Sequence, residues 1–122
     1  MEDIKLYHKL EEFLDKADTM LTSGFNSREW LNGEYTRVYI RRTRHCISGT
    51  IFETLDIANI CVKEKFRGKG IFSSLLKWLE PRKHTLYVES VLNTRLGTFL
   101  LHNNFSVLDS DAATYFKHPE MD

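Results

Sequence analysis

The stretch VKEKFRGKGIFSSLLKWLE, residues 62 to 80, sets glycines 68 and 70 among Lys63, Lys65, Arg67 and Lys69, directly ahead of a segment with Phe72, Leu75, Leu76 and Leu79 on one helical face. A helix that starts this way leaves its first amide N–H groups unpaired, with the positive end of the helix dipole behind them. Phosphate is the usual guest at such a start. Glycine lets the backbone come close to an oxygen and take a positive φ, while Arg67 and Lys69 add charge. The chemistry on offer is pyrophosphate binding, and the plain alternative is a surface turn with solvated lysines. The 122-residue chain is formally neutral, with 17 basic and 17 acidic residues, yet Lys63 to Lys83 carries seven basic residues against Glu64 and Glu80. A local anion site fits that distribution better than a coat of nucleic acid.

Two phosphate motifs with known mechanics fail against this loop. The pattern G-x-x-x-x-G-K-[ST] is absent, and G-x-G-x-x-G is met only as Gly68, Gly70 and Ser73, with Glu89 some twenty positions on. The charged run Lys63 to Arg67 separates strand from glycine where a dinucleotide fold needs an immediate turn. Metal chemistry finds no support in spacing, since His45 and Cys46 are adjacent but no C-x-x-C or H-x-x-x-H pair occurs. No nucleophile triad stands out, and Cys61, within an apolar strand, is expected to be buried and inert. Arg37, Arg41, Arg42, Arg44 and His45 make a basic strand whose plainest role is a solvated sheet face, ahead of a phosphate contact or nucleic acid.

The elements that must position the loop follow from periodicity. Ile4 to Leu21 repeats Leu6, Leu10, Phe13, Leu14, Ala17 and Leu21 at helical spacing, and Thr22-Ser23-Gly24 ends it. Asn26 to Gly33 suggests a short helical turn. Tyr35 to Arg44 and Thr50 to Val62 are β-branched, aromatic stretches either side of a turn at Ser48-Gly49, and predict adjacent antiparallel strands. The helix after the glycines ends before Pro81. Leu86 to Val91 predicts a strand, Asn93 caps a helix through Leu101, Asn103-Asn104 suits a left-handed stop, and a hairpin from Phe105 to Lys117 closes the chain. The length allows one domain, residues 1–122. The order α-β-β-α-β-α-β-β is an α+β fold.

Two segments in this order carry a resemblance. Arg67-Gly68-Lys69-Gly70-Ile71-Phe72 after Ile60-Cys61-Val62 resembles the acyl-CoA loop of the GNAT N-acetyltransferase superfamily, Arg/Gln-x-x-Gly-x-Gly/Ala. Asn93 to Phe105, NTRLGTFLLHNNF, resembles the family's second signature, in which an asparagine opens a helix that ends in Gly-Phe. The resemblance spans roughly Leu55 to Lys117 and implies a mixed, mostly antiparallel sheet flanked by helices. One helix and two strands precede the loop, one strand fewer than the family usually has, so an edge is left exposed or covered by a second subunit.

The resemblance implies acetyl-CoA as co-substrate, no metal, and direct attack by a primary amine. The amides of Arg67, Gly68, Lys69, Gly70, Ile71 and Phe72 would hold the pyrophosphate, and backbone groups of Ile60, Cys61 and Val62 the pantetheine arm, with Asn93 reaching the same arm or simply capping its helix. An amine is mostly protonated at neutral pH, so a base is useful. Asp56, six residues before Val62 and so expected on its face, is the first candidate, followed by Glu53 and Glu89; the alternative for each is a structural acceptor. Phe72 stands where the family has a small residue. The family's tyrosine, proton donor to the leaving thiolate, falls at Leu100, which leaves His102, Tyr87, Tyr115 or water for that step. Phe25, Arg28 and Trp30 would shape the acceptor site. A second reading is a non-catalytic module of this fold that binds protein or nucleic acid through its basic strand. No apolar run approaches a membrane span and the start, MEDIKLYHKLEE, lacks an apolar leader core, so a cytoplasmic protein is expected.

Overall fold

The computed structural model describes residues 1–89, 94–109 and 113–120. Helix α1 (Ile4–Thr22) leads into strands β1 (Ser27–Asn32), β2 (Thr36–Ile47) and β3 (Thr50–Val62). Helix α2 (Ile71–Leu79), β4 (Thr85–Val88), α3 (Thr94–His102), β5 (Ser106–Asp109) and β6 (Thr114–Lys117) follow. The sheet order is β1-β2-β3-β4-β6-β5. Of its neighbouring pairs only β3 with β4 is parallel. This is the expected α+β architecture with a mixed, mostly antiparallel sheet.

The segment read as a short helical turn is instead β1, so three strands precede the loop and the expected shortfall of one strand disappears. Tertiary pairing overrides local pattern here. Leu31 is buried opposite Val38, and Trp30 packs on Tyr39 across the strand pair with ring centroids 5.0 Å apart. Cross-strand aromatic pairs of this kind hold an edge strand in register. Downstream, α2 ends at Leu79 and Pro81 falls in a single 3-10 turn, Glu80–Arg82. Strand β4 ends at Val88, and Ser90 to Asn93 lie outside the described residues, as do residues 110–112 of the closing hairpin.

Helix α3 stops as its asparagines indicate. Asn104 takes φ 68°, and the amides of Phe105 and Asn104 donate to the carbonyls of Leu100 (3.0 Å) and Leu101 (3.3 Å). That pair of bonds satisfies the last carbonyls of a helix, and burial of Phe105 beside Leu100 accompanies it.

One sheet face carries Leu31, Val38, Ile40, Leu55, Ile57, Leu86 and Val88, and the buried side chains of all three helices join it in one core cluster. The pairing of β2 with β3 slips by one residue, from Ile40 opposite Ile57 to Tyr39 opposite Asn59, which leaves Ala58 as a bulge. Every side chain beyond Ala58 therefore changes face. Ile60 and Val62 join the face of Leu55 and Ile57, while Asp56 shares the opposite face with Asn59 and Cys61. Asp56 and Val62, expected on one face by simple alternation, lie on opposite ones. Cys61, expected buried, is exposed for the same reason. No helix among the described residues is long and apolar enough to cross a membrane.

Asp3 ties α1 to the sheet. Its buried carboxylate caps the helix by accepting from the amide of Leu6 (3.1 Å), and it also accepts from the amides of Glu34 and Tyr35 (2.9 Å each) in the β1–β2 turn. Burial alone would raise its pKa, but the three backbone donors outweigh it and hold the group below its ordinary value. A depressed carboxylate contributes stability above its unfolded pKa and loses it as pH falls through the folded one. Asp3→Asn is expected to lower the unfolding free energy by about 2 kcal/mol at neutral pH. Urea titrations at pH 7 and near pH 3 check this, with the gap between the two proteins narrowing at the acid end.

Candidate functional site

Among the described residues, the pairing of the two parallel strands ends at Ile57 and Val88. The last rung among them is the Glu89 amide donating to the Ile57 carbonyl at 3.3 Å, and β3 runs on from Ala58 to Val62 with no described residue of β4 paired to it. The Lys63 amide donates to Tyr35 on the β2 side. By alternation along a strand the peptide groups of Val62 and Ile60 then face the open edge. Arg67 Nε confirms the direction, because it donates to the Val62 carbonyl from that side at 3.1 Å.

A groove of about 540 Å³ follows this edge. Ile60, Cys61 and Val62 form one wall, Arg67, Gly68 and Gly70 one end, Ile71, Phe72 and Ser73 of α2 the floor, and Arg95, Leu96 and Phe99 of α3 the far side. Every described residue expected to hold a cofactor is here except Lys69, which is exposed beside it. Asn93 lies outside the described residues. Gly68 and Gly70 both take φ 74°, a left-handed conformation that glycine adopts without strain. Gly70 is the N-cap of α2, and no side chain among the described residues caps the helix. The first-turn amides are thus left to a ligand or solvent. Phe72 does not block the helix start: its ring meets Phe99 edge to face at 6.0 Å and becomes apolar lining.

On the sheet face opposite the helices, a charged network stands at the closed end of the split. Asp56 is fully buried, and its Oδ1 accepts from Thr54 Oγ1 at 2.6 Å. Its Oδ2 meets His45 Nε2 at 2.7 Å, accepts from Arg41 Nε at 3.2 Å, and forms an ion pair with the same guanidinium, Nη2 lying 3.1 Å away. Arg41 also pairs directly with Glu89. The His45 ring lies flat on Tyr87, with centroids 3.8 Å apart and 6° between planes. Burial, then the Asp56 charge, push the Tyr87 phenol above its usual pKa, so it stays protonated at neutral pH.

The candidates for proton transfer are therefore sorted by position. Asp56 and Glu89 come together, whereas Glu53 pairs with Arg44 at 3.6 Å and is exposed on the other face. His102 is exposed in the last turn of α3, and Tyr115 is half-buried against the core beside Val88. Leu100 is fully buried, so the position that the resemblance assigns to a proton donor is part of the core. Of the acceptor-side residues, Trp30 is 40% exposed under Arg37, whose guanidinium lies 4.1 Å from the ring centroid, and Phe25 and Arg28 are exposed.

Arg41, His45 and Thr54 were not singled out for this site by sequence, although a signal exists. Counting back from the Ser48-Gly49 turn, Arg41 falls opposite Asp56, and alternation puts His45 and Thr54 on the same face. Ligand atoms of His45, Asp56 and Glu89 also come within 4.8 Å of one another, a grouping that no linear metal motif discloses. Arg41 already supplies the cation between the two carboxylates.

The groove, the split strands and the six-stranded sheet define a GNAT-like fold. No protein-family model matches the chain, and neither does any curated protein. Among solved structures, a mutant of the toxin AtaT bound to the C-terminus of the antitoxin AtaR and acetyl-CoA aligns with a TM-score of 0.54 at 14% identity, over 69% of this chain and 58% of that one. The KacTA–DNA complex aligns at 14% identity and a TM-score of 0.48, over 91% of this chain and 79% of that one.

Removing Arg41 would leave the buried Asp56 carboxylate and Glu89 without their shared cation. Arg41→Gln is expected to lower the unfolding free energy by about 3 kcal/mol, the low end for breaking a buried pair because Arg41 is partly exposed. Guanidinium titration of the two proteins gives the difference directly.

Proposed function

We propose that this chain is an acetyl-CoA-dependent N-acetyltransferase that works as one acyl-CoA-binding domain and moves an acetyl group to a primary amine by direct attack. The observation that carries the reading is the groove along β3 beyond its described pairing with β4, which ends at the left-handed glycines ahead of α2. Such a groove suits a ligand with an anionic end and a long, narrow arm. The α2 amides, Gly68 and Gly70 take the pyrophosphate, with Arg67 and Lys69 adding positive charge nearby. The open-edge peptide groups of Ile60 and Val62 pair with the amides of the arm. From Val62 back to Ala58 the strand rises about 13 Å at roughly 3.3 Å per residue, which brings the thioester end to the closed end of the split. Amide donors aimed at the thioester oxygen there stabilise the oxyanion that forms when the amine adds. The AtaT complex, whose fold this chain shares at low identity, holds acetyl-CoA, in keeping with the reading.

Buried Leu100 favours a second reading, a non-catalytic module of the same fold, because no hydroxyl is available there to protonate a leaving thiolate. Calorimetry separates the two. Wild-type protein is expected to bind acetyl-CoA and CoA at micromolar concentration, and Gly70→Arg to weaken both at least tenfold by straining the left-handed position and crowding the amides. Absence of binding, or an unchanged Gly70→Arg affinity, contradicts the cradle. Binding with no transfer to a broad panel of polyamines, peptide amines and amine-bearing nucleotides favours the module.

A further inference from the structure

The geometry points to His45 as the catalytic base of the proposed transfer, with Asp56 as its positioning residue; this rests on the acetyltransferase reading above. Asp56 has no room to take a substrate proton, since it is fully buried and both oxygens are already engaged by Thr54, His45 and Arg41. His45 differs on both counts. Its side chain keeps 25% of its exposure, and two contacts fix its ring: the flat stack on Tyr87 and the 2.7 Å bond from Nε2 to Asp56. A ring that donates through Nε2 to a carboxylate carries its lone pair on Nδ1, the state a base requires.

Position supports the role. Asp56 pairs in register with Tyr87 one residue before the last rung between β3 and β4, and Glu89 makes that rung. His45 therefore stands at the closed end of the split, on the face opposite the helices, where an amine can reach a thioester threaded from the groove. The groups that face His45 are Asp56 on β3, Tyr87 on β4, Glu89 just past the end of β4, and Arg41 on its own strand. One guanidinium between two carboxylates leaves a net negative cluster, which draws an ammonium acceptor.

In the step itself, His45 Nδ1 takes one proton from the bound ammonium, directly or through one water, and the lone pair so freed bonds to the thioester carbonyl carbon while the nitrogen's surplus proton passes to water. The C–S bond then breaks, the thiolate takes a proton from water, and the imidazolium returns its proton to solvent.

The test uses the full chain, His45→Gln and Asp56→Asn, with calorimetry for acetyl-CoA and thiol release over the same amine panel across pH. His45→Gln is expected to bind acetyl-CoA as wild type does, to lose at least a hundredfold in transfer rate, and to lose the rise of that rate with pH. His45→Ala is expected to regain rate with added imidazole. Asp56→Asn is expected to displace the pH profile, and long-range ¹H–¹⁵N spectra are expected to show the His45 tautomer changing with it. A spectrum of wild-type protein with the proton on Nδ1 overturns the assignment without any variant, as does a full His45→Gln rate. Loss of activity to a chelator overturns it in favour of a metal ion on His45, Asp56 and Glu89. Acetyl-CoA binding without transfer to any amine removes the base along with the catalytic reading. Failure of wild-type protein to bind acetyl-CoA instead overturns the cofactor groove.

Discussion

The stretch of β3 beyond Ile57, with no described residue of β4 paired to it, is the constraint on which the rest of the molecule turns. A strand inside a sheet has both edges satisfied, and one released on a single edge exposes peptide groups that need partners. Here the release coincides with the bulge at Ala58, which bends β3 and turns its side chains over within one residue. The same irregularity frees a backbone edge, lines it with Ile60 and Val62, and keeps Asp56 on the opposite face. Without the bulge, Ile60 and Val62 would point away from the helices, and the open edge would lose its apolar lining.

Two kinds of order keep that edge open. The apolar one is the cluster through which α1, α2 and α3 share a single sheet face, so that α2 is held with its first turn at the end of the groove and Phe99 of α3 against Phe72. The polar one is the Asp56 network, where Arg41 bridges β3 to the residue that makes the final β3–β4 rung. Packing thus decides where the groove lies, and electrostatics decides where it closes. A fully buried carboxylate engaged by Thr54, His45 and Arg41 contributes specificity of position more than net stability, since its desolvation offsets much of the attraction.

Much of this was legible in the sequence because it rests on local signals. The loop glycines, the stripe of Leu75 and Leu79, the Ser48-Gly49 turn and the asparagine stop at 104 each act over a few residues and appear where expected. Strand β1 did not, because Asn26 to Gly33 has no strong alternation of its own and becomes a strand by pairing with β2. The face of Asp56 was misplaced for a sharper reason. A one-residue bulge leaves no mark in a pattern of β-branched residues, yet it inverts every assignment beyond it. The His45 and Arg41 contacts lie on the turn side of the bulge, where counting back from Ser48-Gly49 gives the register.

The central claim is that the open edge of β3 and the first turn of α2 together hold acetyl-CoA. Backbone amide hydrogen exchange with and without CoA tests this most directly. The account predicts slowed exchange confined to the amides of Ile60, Val62 and Gly68 to Ser73, with β1 and β6 unchanged. Uniform slowing across the sheet, or protection centred elsewhere while these amides exchange as before, would contradict it.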